Sequence, residues 1–157
     1  MHYRYHHSPL GKLLIAGDEQ GLRLLHMDAA RAWELVHGWQ ADQGELDDVC
    51  RQLDEYFAGQ RERFELRLAP AGTAFQRQIW QALQEIPYGR TWSYAELARH
   101  IAKPAAVRAV GTANGANPLA IIIPCHRVIG SNGTLTGYAG GLERKQLLLQ
   151  LEGAWLL

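Results

Sequence analysis

The sequence changes character at residues 70–72, Pro-Ala-Gly, and this break is the strongest constraint on the fold. Residues 1–70 carry eight Lys and Arg against twelve Asp and Glu, whereas residues 71–157 carry eight against four, so the two parts have net charges of −4 and +4. A chain of 157 residues forms one core or two small lobes, and we predict a lobe on each side of the break. A polyanion would bind the positive second lobe in preference to the first. An ordinary difference in charge between two lobes would give the same net charges.

Strands and one helix are predicted for the first lobe. Two apolar runs flank residues 18–21, Asp-Glu-Gln-Gly, as in a β-hairpin. Residues 45–59 have apolar positions at helical spacing and end in a glycine, and residues 63–69 alternate like a strand. Cys50 lies on the apolar stripe of the helix, so we interpret it as a buried thiol without a reactive role.

Two capping boxes predict helices in the second lobe. Thr73 with Gln76 opens a helix that ends at Pro-Tyr-Gly, and Ser93 with Glu96 opens a shorter one. A Lys-Pro pair breaks the shorter helix, and a third helix, AAVRAVGTAN, follows. Two short helices joined by a tight turn in a positive lobe predict a helix-turn-helix, with a plain helical hairpin as the alternative.

The third helix carries few groups that could read DNA bases. Base-reading helices usually present several Arg, Lys, Asn or Gln side chains, whereas this one is nearly bare. Its one long side chain, Arg108, fits a phosphate contact, insertion into the base stack or an ordinary surface salt bridge. The helix therefore predicts close approach to DNA without sequence preference. The residues of this helix that we expect at the DNA are Arg108, Ala109, Gly111, Thr112 and Asn114.

Cys125 ends an apolar run, LAIIIP at 119–124, and is followed by His126 and Arg127. The run predicts a buried strand or extended segment that brings Cys125 to the edge of the core. A nearby imidazole or guanidinium favours the reactive thiolate, and an inert buried thiol is the alternative. Neighbouring residues of a strand point to opposite faces, so a strand would direct His126 away from Cys125. His126 would therefore lie beyond a turn or reach the Cys125 thiol through a water. Glu152 is one candidate for the residue that orients the His126 ring.

The composition also limits which cofactors the protein could bind and in which cellular compartment we expect it. Two cysteines, Cys50 and Cys125, form no disulfide framework, and the close set of about four Cys or His that structural zinc needs is missing from the sequence. We predict neither a metal nor a cofactor. The sequence has no run of roughly 20 apolar residues and no signal-peptide pattern, so we expect a cytoplasmic protein that does not bind membranes.

The stretch GTANGANPLAIIIPCHRVIGSNGTLTGYAGGLERKQLLLQLEG resembles the active-site signature of the O6-alkylguanine-DNA alkyltransferases, also called methylated-DNA–protein-cysteine methyltransferases. The preceding FQRQIWQALQEIPYGRTWSYAELA is similar to the same family, so the match spans residues 73–153. Residues 1–70 resemble its variable lobe more weakly. The resemblance implies an α/β (α+β) fold, with a small ribonuclease-H-like β-sheet lobe and a mainly helical lobe that carries the helix-turn-helix and the active-site cysteine.

The resemblance also implies a reaction. Cys125 would take the alkyl group from O6 of guanine, or less readily from O4 of thymine, in double-stranded DNA after the base is flipped out. The transfer would be irreversible, with one turnover per molecule. His126 would be the water-linked base, Glu152 the carboxylate that orients it, and Asn117 the brace of the active-site turn. Tyr94 would rotate the target phosphate and help the guanine to leave.

Further residues are assigned to DNA by the same resemblance. Arg108 would fill the gap left by the flipped nucleotide, and Tyr138, Ala139 and Gly140 would line the pocket for the base. Ala139 stands where some members carry serine, which affects pocket contacts. The expected partner is double-stranded DNA with alkylated bases, bound by a monomer. Two alternatives are a lesion-sensing protein whose cysteine does not react and a Cys-His-Glu hydrolase of amides or esters.

Overall fold

A computed structural model describes residues 1–155 of the chain. The chain divides into two compact units, the first ending at Ala71 and the second beginning at Gly72. The first unit is built on a β-sheet and the second mainly on helices, so the mixed α/β class predicted from the sequence is confirmed. Within the described range, every helix is too short or too polar to span a lipid bilayer.

Four strands and two α-helices form the first unit: β1 (His2–Ser8), β2 (Gly11–Asp18), β3 (Gly21–His26), α1 (Ala29–Ala32), β4 (Gln40–Ala41) and α2 (Asp47–Phe57). The strands lie in the order β3-β2-β1-β4, and only the β1–β4 pair is parallel. Strands β2 and β3 pair up to Asp18 and Gly21, so the predicted hairpin is confirmed. Residues 13–16 of the inner strand β2 are fully buried and form the centre of this unit's core.

The strand predicted over residues 63–69 is wrong, because only Leu68 pairs with the sheet, through a parallel bridge to Leu22. Upstream of that bridge, the buried side chain of Gln52 binds both backbone groups of Glu65. The Glu65 N–H donates to Gln52 Oε1 at 2.8 Å, and Gln52 Nε2 donates to the Glu65 carbonyl at 3.2 Å. A side chain of α2 therefore satisfies the backbone where a neighbouring strand would otherwise do so.

The predicted burial of Cys50 is confirmed. This residue lies on the apolar face of α2 with Leu53 and Tyr56, and 5% of its surface is exposed. Burial raises the pKa of its thiol, so Cys50 is held in the protonated, unreactive form.

Four α-helices and a short pair of strands are described in the second unit: α3 (Ala74–Leu83), β5 (Trp92–Ser93), α4 (Tyr94–His100), α5 (Val107–Gly115), β6 (Val128–Ile129) and α6 (Leu142–Leu151). Strands β5 and β6 pair in parallel, with Trp92 opposite Val128. Short 3-10 turns cover residues 104–106 and 125–127. The β5–β6 pair therefore joins the start of α4 to the residues that follow Cys125.

Both predicted capping boxes are confirmed. At the start of α3, Thr73 Oγ1 accepts from the N–H of Gln76 at 3.1 Å, and Gln76 Oε1 accepts from the N–H of Thr73 at 2.9 Å. Ser93 and Glu96 make the same two bonds at the start of α4, at 3.0 and 3.2 Å. Each box satisfies two backbone donors that have no partner inside the helix, so both helix starts are determined locally.

Helix α4 ends in a Schellman motif centred on Ala102, whose φ is +60°. The N–H of Ala102 donates to the Arg99 carbonyl, and the N–H of Lys103 donates to the Ala98 carbonyl, both at 2.9 Å. Glycine usually takes this left-handed position, so the helix end lacks the common glycine signal in the sequence. Pro104 begins the turn into α5, and α4 and α5 are the two helices of the predicted helix-turn-helix.

Replacing Ser93 by alanine should lower the free energy of unfolding by about 1 kcal/mol, because the N–H of Glu96 loses its acceptor. Urea denaturation followed by tryptophan fluorescence measures this change. The matched control is Ser131→Ala at an exposed loop position, which should change the free energy of unfolding by less than about 0.5 kcal/mol. Equal values for the two variants would contradict the stabilising role of the cap.

Candidate active site

Residues 120–122 form turns and Leu119 is a single bridge position, so the strand or extended segment predicted over residues 119–124 is wrong. The segment is largely buried as expected, but Ile121 has a φ of +72°, a left-handed conformation that β-branched residues rarely adopt. The side chain of Asn117 braces it. Asn117 Oδ1 accepts from the Leu119 N–H at 3.0 Å, and Nδ2 donates to the Ile123 carbonyl at 2.8 Å. The two hydrogen bonds from Asn117 satisfy backbone groups that would otherwise pair in a sheet. This buried apolar segment can therefore fold as turns.

Cys125 follows these turns and begins the 3-10 turn at residues 125–127. Its side chain is buried, and Asn117 Nδ2 donates to its Sγ at 3.1 Å. Burial raises the pKa of the Cys125 thiol, and the Asn117 amide and the charge of Lys145 offset only part of that increase. The resting group is therefore a thiol, which needs a base before it can act as a nucleophile.

Glu152 brings together the two residues that follow Cys125. At the C-terminal end of α6, its Oε2 accepts from His126 Nε2 at 2.8 Å. Arg127 donates to both carboxylate oxygens, from Nε at 2.8 Å and from Nη2 at 2.9 Å, and Nη1 donates to the Ile86 carbonyl at 2.7 Å. The His126 and Glu152 side chains are fully buried. The site therefore contains a buried carboxylate held by an imidazole and a guanidinium.

The charges of this network determine where His126 carries its proton. Burial raises the pKa of Glu152, but hydrogen bonds from His126 and Arg127 outweigh that effect and lower the pKa to about 2. Burial lowers the pKa of His126, so its ring is neutral at pH 7. Because an ionised carboxylate only accepts, Nε2 carries the proton and Nδ1 keeps a lone pair. Nδ1 is buried without a hydrogen-bond partner among the described residues, so it is available as a base.

Lys145 is a fully buried cation that sequence reasoning missed. Its Nζ donates to the carbonyls of Val128 at 2.6 Å and Thr136 at 2.8 Å, and it lies 5.9 Å from the centre of the Tyr138 ring. Burial lowers the pKa of Lys145 to about 8, although the nearby Cys125 opposes this shift. A positive charge in this position favours the thiolate form of Cys125.

A sequence signal for Lys145 does exist. Lys145, Leu148, Leu149 and Glu152 are spaced i, i+3, i+4 and i+7, and all four are buried. This spacing places them on one face of α6, the face that carries the predicted partner of His126. Lysine is among the residues least often buried, so its residue type gave no reason to expect it inside.

The predicted pocket residues Tyr138, Ala139 and Gly140 lie on the segment between β6 and α6. Burial raises the pKa of the Tyr138 phenol, and the nearby Cys125 raises it further, so the hydroxyl lies close to the sulfur. Ala139 is exposed, and the Gly140 carbonyl accepts from Arg144 Nη1 at 3.1 Å. The structure thus brings Tyr138 to the cysteine, whereas Ala139 lies at the surface.

The predicted DNA contacts of α5 lie on two different faces. Arg108, Ala109 and Thr112 are exposed, whereas Asn114 is 2% exposed. Asn114 lies with Val110 on the face of α5 that packs into the core, so the structure leaves this predicted contact almost no surface open to DNA. The exposed face keeps the sparse character that the sequence predicts, with Arg108 as its long side chain.

Tyr94 begins α4 and packs against α5. Its ring lies over Gly111, where an added Cβ would be 3.6 Å from Tyr94 Cδ1. The Tyr94 hydroxyl accepts from Thr136 Oγ1 at 3.3 Å. The half-buried Tyr94 therefore links the helix pair to the segment that carries Tyr138.

The site combines the parts of a sulfur nucleophile: a buried thiol, a neutral imidazole with an available nitrogen, and a buried cation. Between residues 1 and 155, no three His, Cys, Asp or Glu side chains are grouped so that they could hold a metal ion. The absence of a metal and a cofactor stays a prediction.

Both parts of the chain match models of one family. Residues 1–70 match the ribonuclease-like domain of 6-O-methylguanine DNA methyltransferase, and residues 74–154 match its DNA binding domain. The chain belongs to the 6-O-methylguanine DNA methyltransferase family.

Two relatives with assigned names support this family assignment. The methylated-DNA–protein-cysteine methyltransferase of Methanosarcina acetivorans is 50% identical over 155 residues, which cover 98% of this chain and 99% of the relative. The protein of the same name from Mycobacterium tuberculosis H37Rv is 49% identical over 152 residues, which cover 97% of this chain and 92% of the relative.

Solved structures are also similar. The crystal structure of M. tuberculosis O6-methylguanine methyltransferase has a TM-score of 0.90 and 48% identity, and the match covers 98% of this chain and 93% of that one. The structure of M. tuberculosis OGT in complex with DNA has a TM-score of 0.89 and 48% identity, with coverage of 98% and 94%.

Replacing Glu152 by glutamine should lower the free energy of unfolding at pH 7 by about 3 kcal/mol, because Arg127 is left as a buried unpaired charge. The difference from wild type should shrink at pH 3. The carboxylate stabilises the fold fully above its usual pKa of 4.5, and this contribution is lost as the pH falls towards its folded pKa of about 2. Urea denaturation at both pH values measures the effect.

The control for this experiment is Glu85→Gln, which removes the charge of an exposed partner of His100. It should change the free energy of unfolding by less than about 1 kcal/mol. A Glu152→Gln effect of the same size at pH 7 and pH 3 would show that the carboxylate charge is not what stabilises the network.

Proposed function

We propose that this protein repairs alkylated DNA by moving the alkyl group from a damaged base to its own Cys125. The family and the named relatives, about half identical over nearly the whole chain, make it a methylated-DNA–protein-cysteine methyltransferase. The observation that carries the choice of Cys125 is its contact with Asn117 beside the buried His126–Glu152 pair. Cys50 lies outside the part of the chain that matches the DNA binding domain.

The proposed substrates are O6-alkylguanine and, less readily, O4-alkylthymine in double-stranded DNA. Both oxygens lie inside the base stack, so the base must be flipped out before the sulfur can reach the alkyl carbon. Tyr138, Ala139 and Gly140 line the pocket that receives the base. The closeness of Tyr138 to Cys125 supports this assignment, because it puts the segment beside the acceptor.

The reaction consists of a proton transfer from the thiol, one displacement and a proton transfer to the departing base. His126 Nδ1 takes the proton of the Cys125 thiol through a bridging water, and Glu152 stabilises the imidazolium that forms. The thiolate attacks the alkyl carbon, so a C–S bond forms and the C–O bond breaks, with its electron pair passing to the base. Tyr94 assists the departure of the base by hydrogen bonding. The departing base gains one proton and the imidazolium of His126 gives up the proton that it took from the thiol, so the base ends with a proton in place of the alkyl group and His126 returns to the neutral form.

Transfer occurs once per protein molecule. The product at Cys125 is a thioether, which water does not cleave at neutral pH, so the alkylated protein is spent. A Cys-His-Glu hydrolase would instead regenerate its thiol at every turnover. Stoichiometry therefore separates the two reactions.

DNA binding and alkyl acceptance are assigned to residues 71–157, and residues 1–70 form the ribonuclease-H-like lobe. The DNA-bound structure of a relative with 48% identity supports DNA as the partner. The proposed contacts are Tyr94, Arg108, Ala109, Gly111 and Thr112. Arg108 fills the gap left by the flipped base, and the bare surface around it permits close approach without sequence preference. A monomeric state and a cytoplasmic location remain predictions.

Cys125→Ser should abolish transfer and keep binding to the lesion, because a serine hydroxyl is a much weaker nucleophile of similar size. Transfer of a radioactive methyl group from duplex DNA measures the reaction, and fluorescence anisotropy measures binding. Cys50→Ser is the matched control and should transfer at the wild-type rate. Label on the Cys125→Ser protein, or loss of transfer in Cys50→Ser, would refute the choice of acceptor. A wild-type protein that binds the lesion and stays unlabelled would be a lesion sensor.

Arg108→Ala should impair base flipping more than general DNA binding. The variant loses the side chain that fills the stack, so flipping should weaken at least about tenfold. The affinity for undamaged DNA loses one charge contact and should fall at most about threefold. Fluorescence of 2-aminopurine at the target position reports flipping, and Arg63→Ala, an exposed position of the first unit, is the control. Equal losses in flipping and binding would remove the special role of Arg108.

A further inference from the structure

Thr136 contacts two groups of the proposed site through two different parts of the residue. Its Oγ1 donates to the Tyr94 hydroxyl at 3.3 Å, and its backbone carbonyl accepts from Lys145 Nζ at 2.8 Å. The Lys145 ammonium also donates to the Val128 carbonyl at 2.6 Å. A continuous polar chain therefore runs from Tyr94 to Val128, three residues after Cys125.

The two ends of this chain differ in how firmly they are held. Lys145 is fully buried and donates to two backbone carbonyls, so the inner end is fixed by the core. Tyr94 is half-buried, and its ring lies over Gly111, which has no side chain. Thr136 Oγ1 donates the hydrogen bond that the structure shows at the Tyr94 hydroxyl. At 3.3 Å it is long for two hydroxyls, as is common for catalytic contacts before substrate binds.

We propose that Thr136 is a positioning residue that directs the hydroxyl of Tyr94 towards the flipped base by anchoring it to the buried Lys145. This inference rests on the proposed function, in which Tyr94 assists the departure of the base. The Thr136 carbonyl fixes the position of the residue, and its hydroxyl transmits that position to Tyr94. A hydrogen bond oriented before the reaction stabilises the charge of the leaving base without reorganisation.

The test compares Thr136→Val, which removes the hydroxyl and keeps the shape, with Thr136→Ser, which keeps the hydroxyl. Single-turnover transfer at saturating duplex DNA with one O6-methylguanine gives the rate constant, and fluorescence anisotropy gives the Kd. We expect Thr136→Val to lower the rate constant about fivefold at unchanged Kd, and Thr136→Ser to stay within about twofold of wild type. Thr136→Ala measures the same loss if valine disturbs the fold.

A double-mutant cycle with Tyr94→Phe separates positioning from packing. If Thr136 acts through the Tyr94 hydroxyl, Thr136→Val should change the rate constant by less than about 1.5-fold in the Tyr94→Phe background. Any of three results would overturn the proposal: the same loss in both backgrounds, a wild-type rate for Thr136→Val, or a Thr136→Ser variant as slow as Thr136→Val.

Failure of the proposed function gives a different result. A wild-type protein that takes no methyl group from the duplex would refute both the function and the role of Thr136. Normal transfer by the wild type without coupling between Thr136 and Tyr94 would refute only the role of Thr136.

Discussion

The hydrogen bonds to the ionised carboxylate of Glu152 are the interaction on which the rest of the proposed active site depends. This carboxylate stands at the end of α6 and receives three hydrogen bonds from the two residues that follow Cys125. A buried carboxylate without these donors would be strongly destabilised, and so would the buried guanidinium of Arg127 without the carboxylate. Helix α6 and the active-site turn therefore stabilise each other. The same contact gives His126 the tautomer in which Nδ1 can accept a proton.

Burial also determines how the site behaves before it meets a lesion. It raises the pKa of Cys125 and lowers that of His126, so the resting pair is a thiol and a neutral imidazole. A permanent thiolate would be open to oxidation and to small electrophiles. In the reaction that we propose the acceptor reacts once, so a protonated resting state would preserve Cys125 until a flipped nucleobase occupies the pocket. Lys145 then favours the negative charge when the proton leaves.

Local signals in the sequence predicted the starts of α3 and α4, because a capping box is complete within four residues. The strand predicted over residues 63–69 and the strand or extended segment predicted over residues 119–124 were wrong for a shared reason. In both segments a side-chain amide, from Gln52 or Asn117, binds the backbone groups that a strand would have paired. Apolar patterning shows which segments are buried, but not which distant amide will reach their backbone. The burial of Lys145 was missed similarly, since it depends on which face of its helix packs inward.

Alkyl transfer to Cys125 is tested by the intact mass of the protein after incubation with excess duplex DNA that carries one O6-methylguanine, followed by peptide mapping. The mass should rise by one methyl group in place of one hydrogen, the gain should saturate at one per protein, and the methyl group should map to Cys125. An unchanged mass despite lesion loss, a gain at Cys50, or continued repair beyond one lesion per protein would refute single transfer to Cys125.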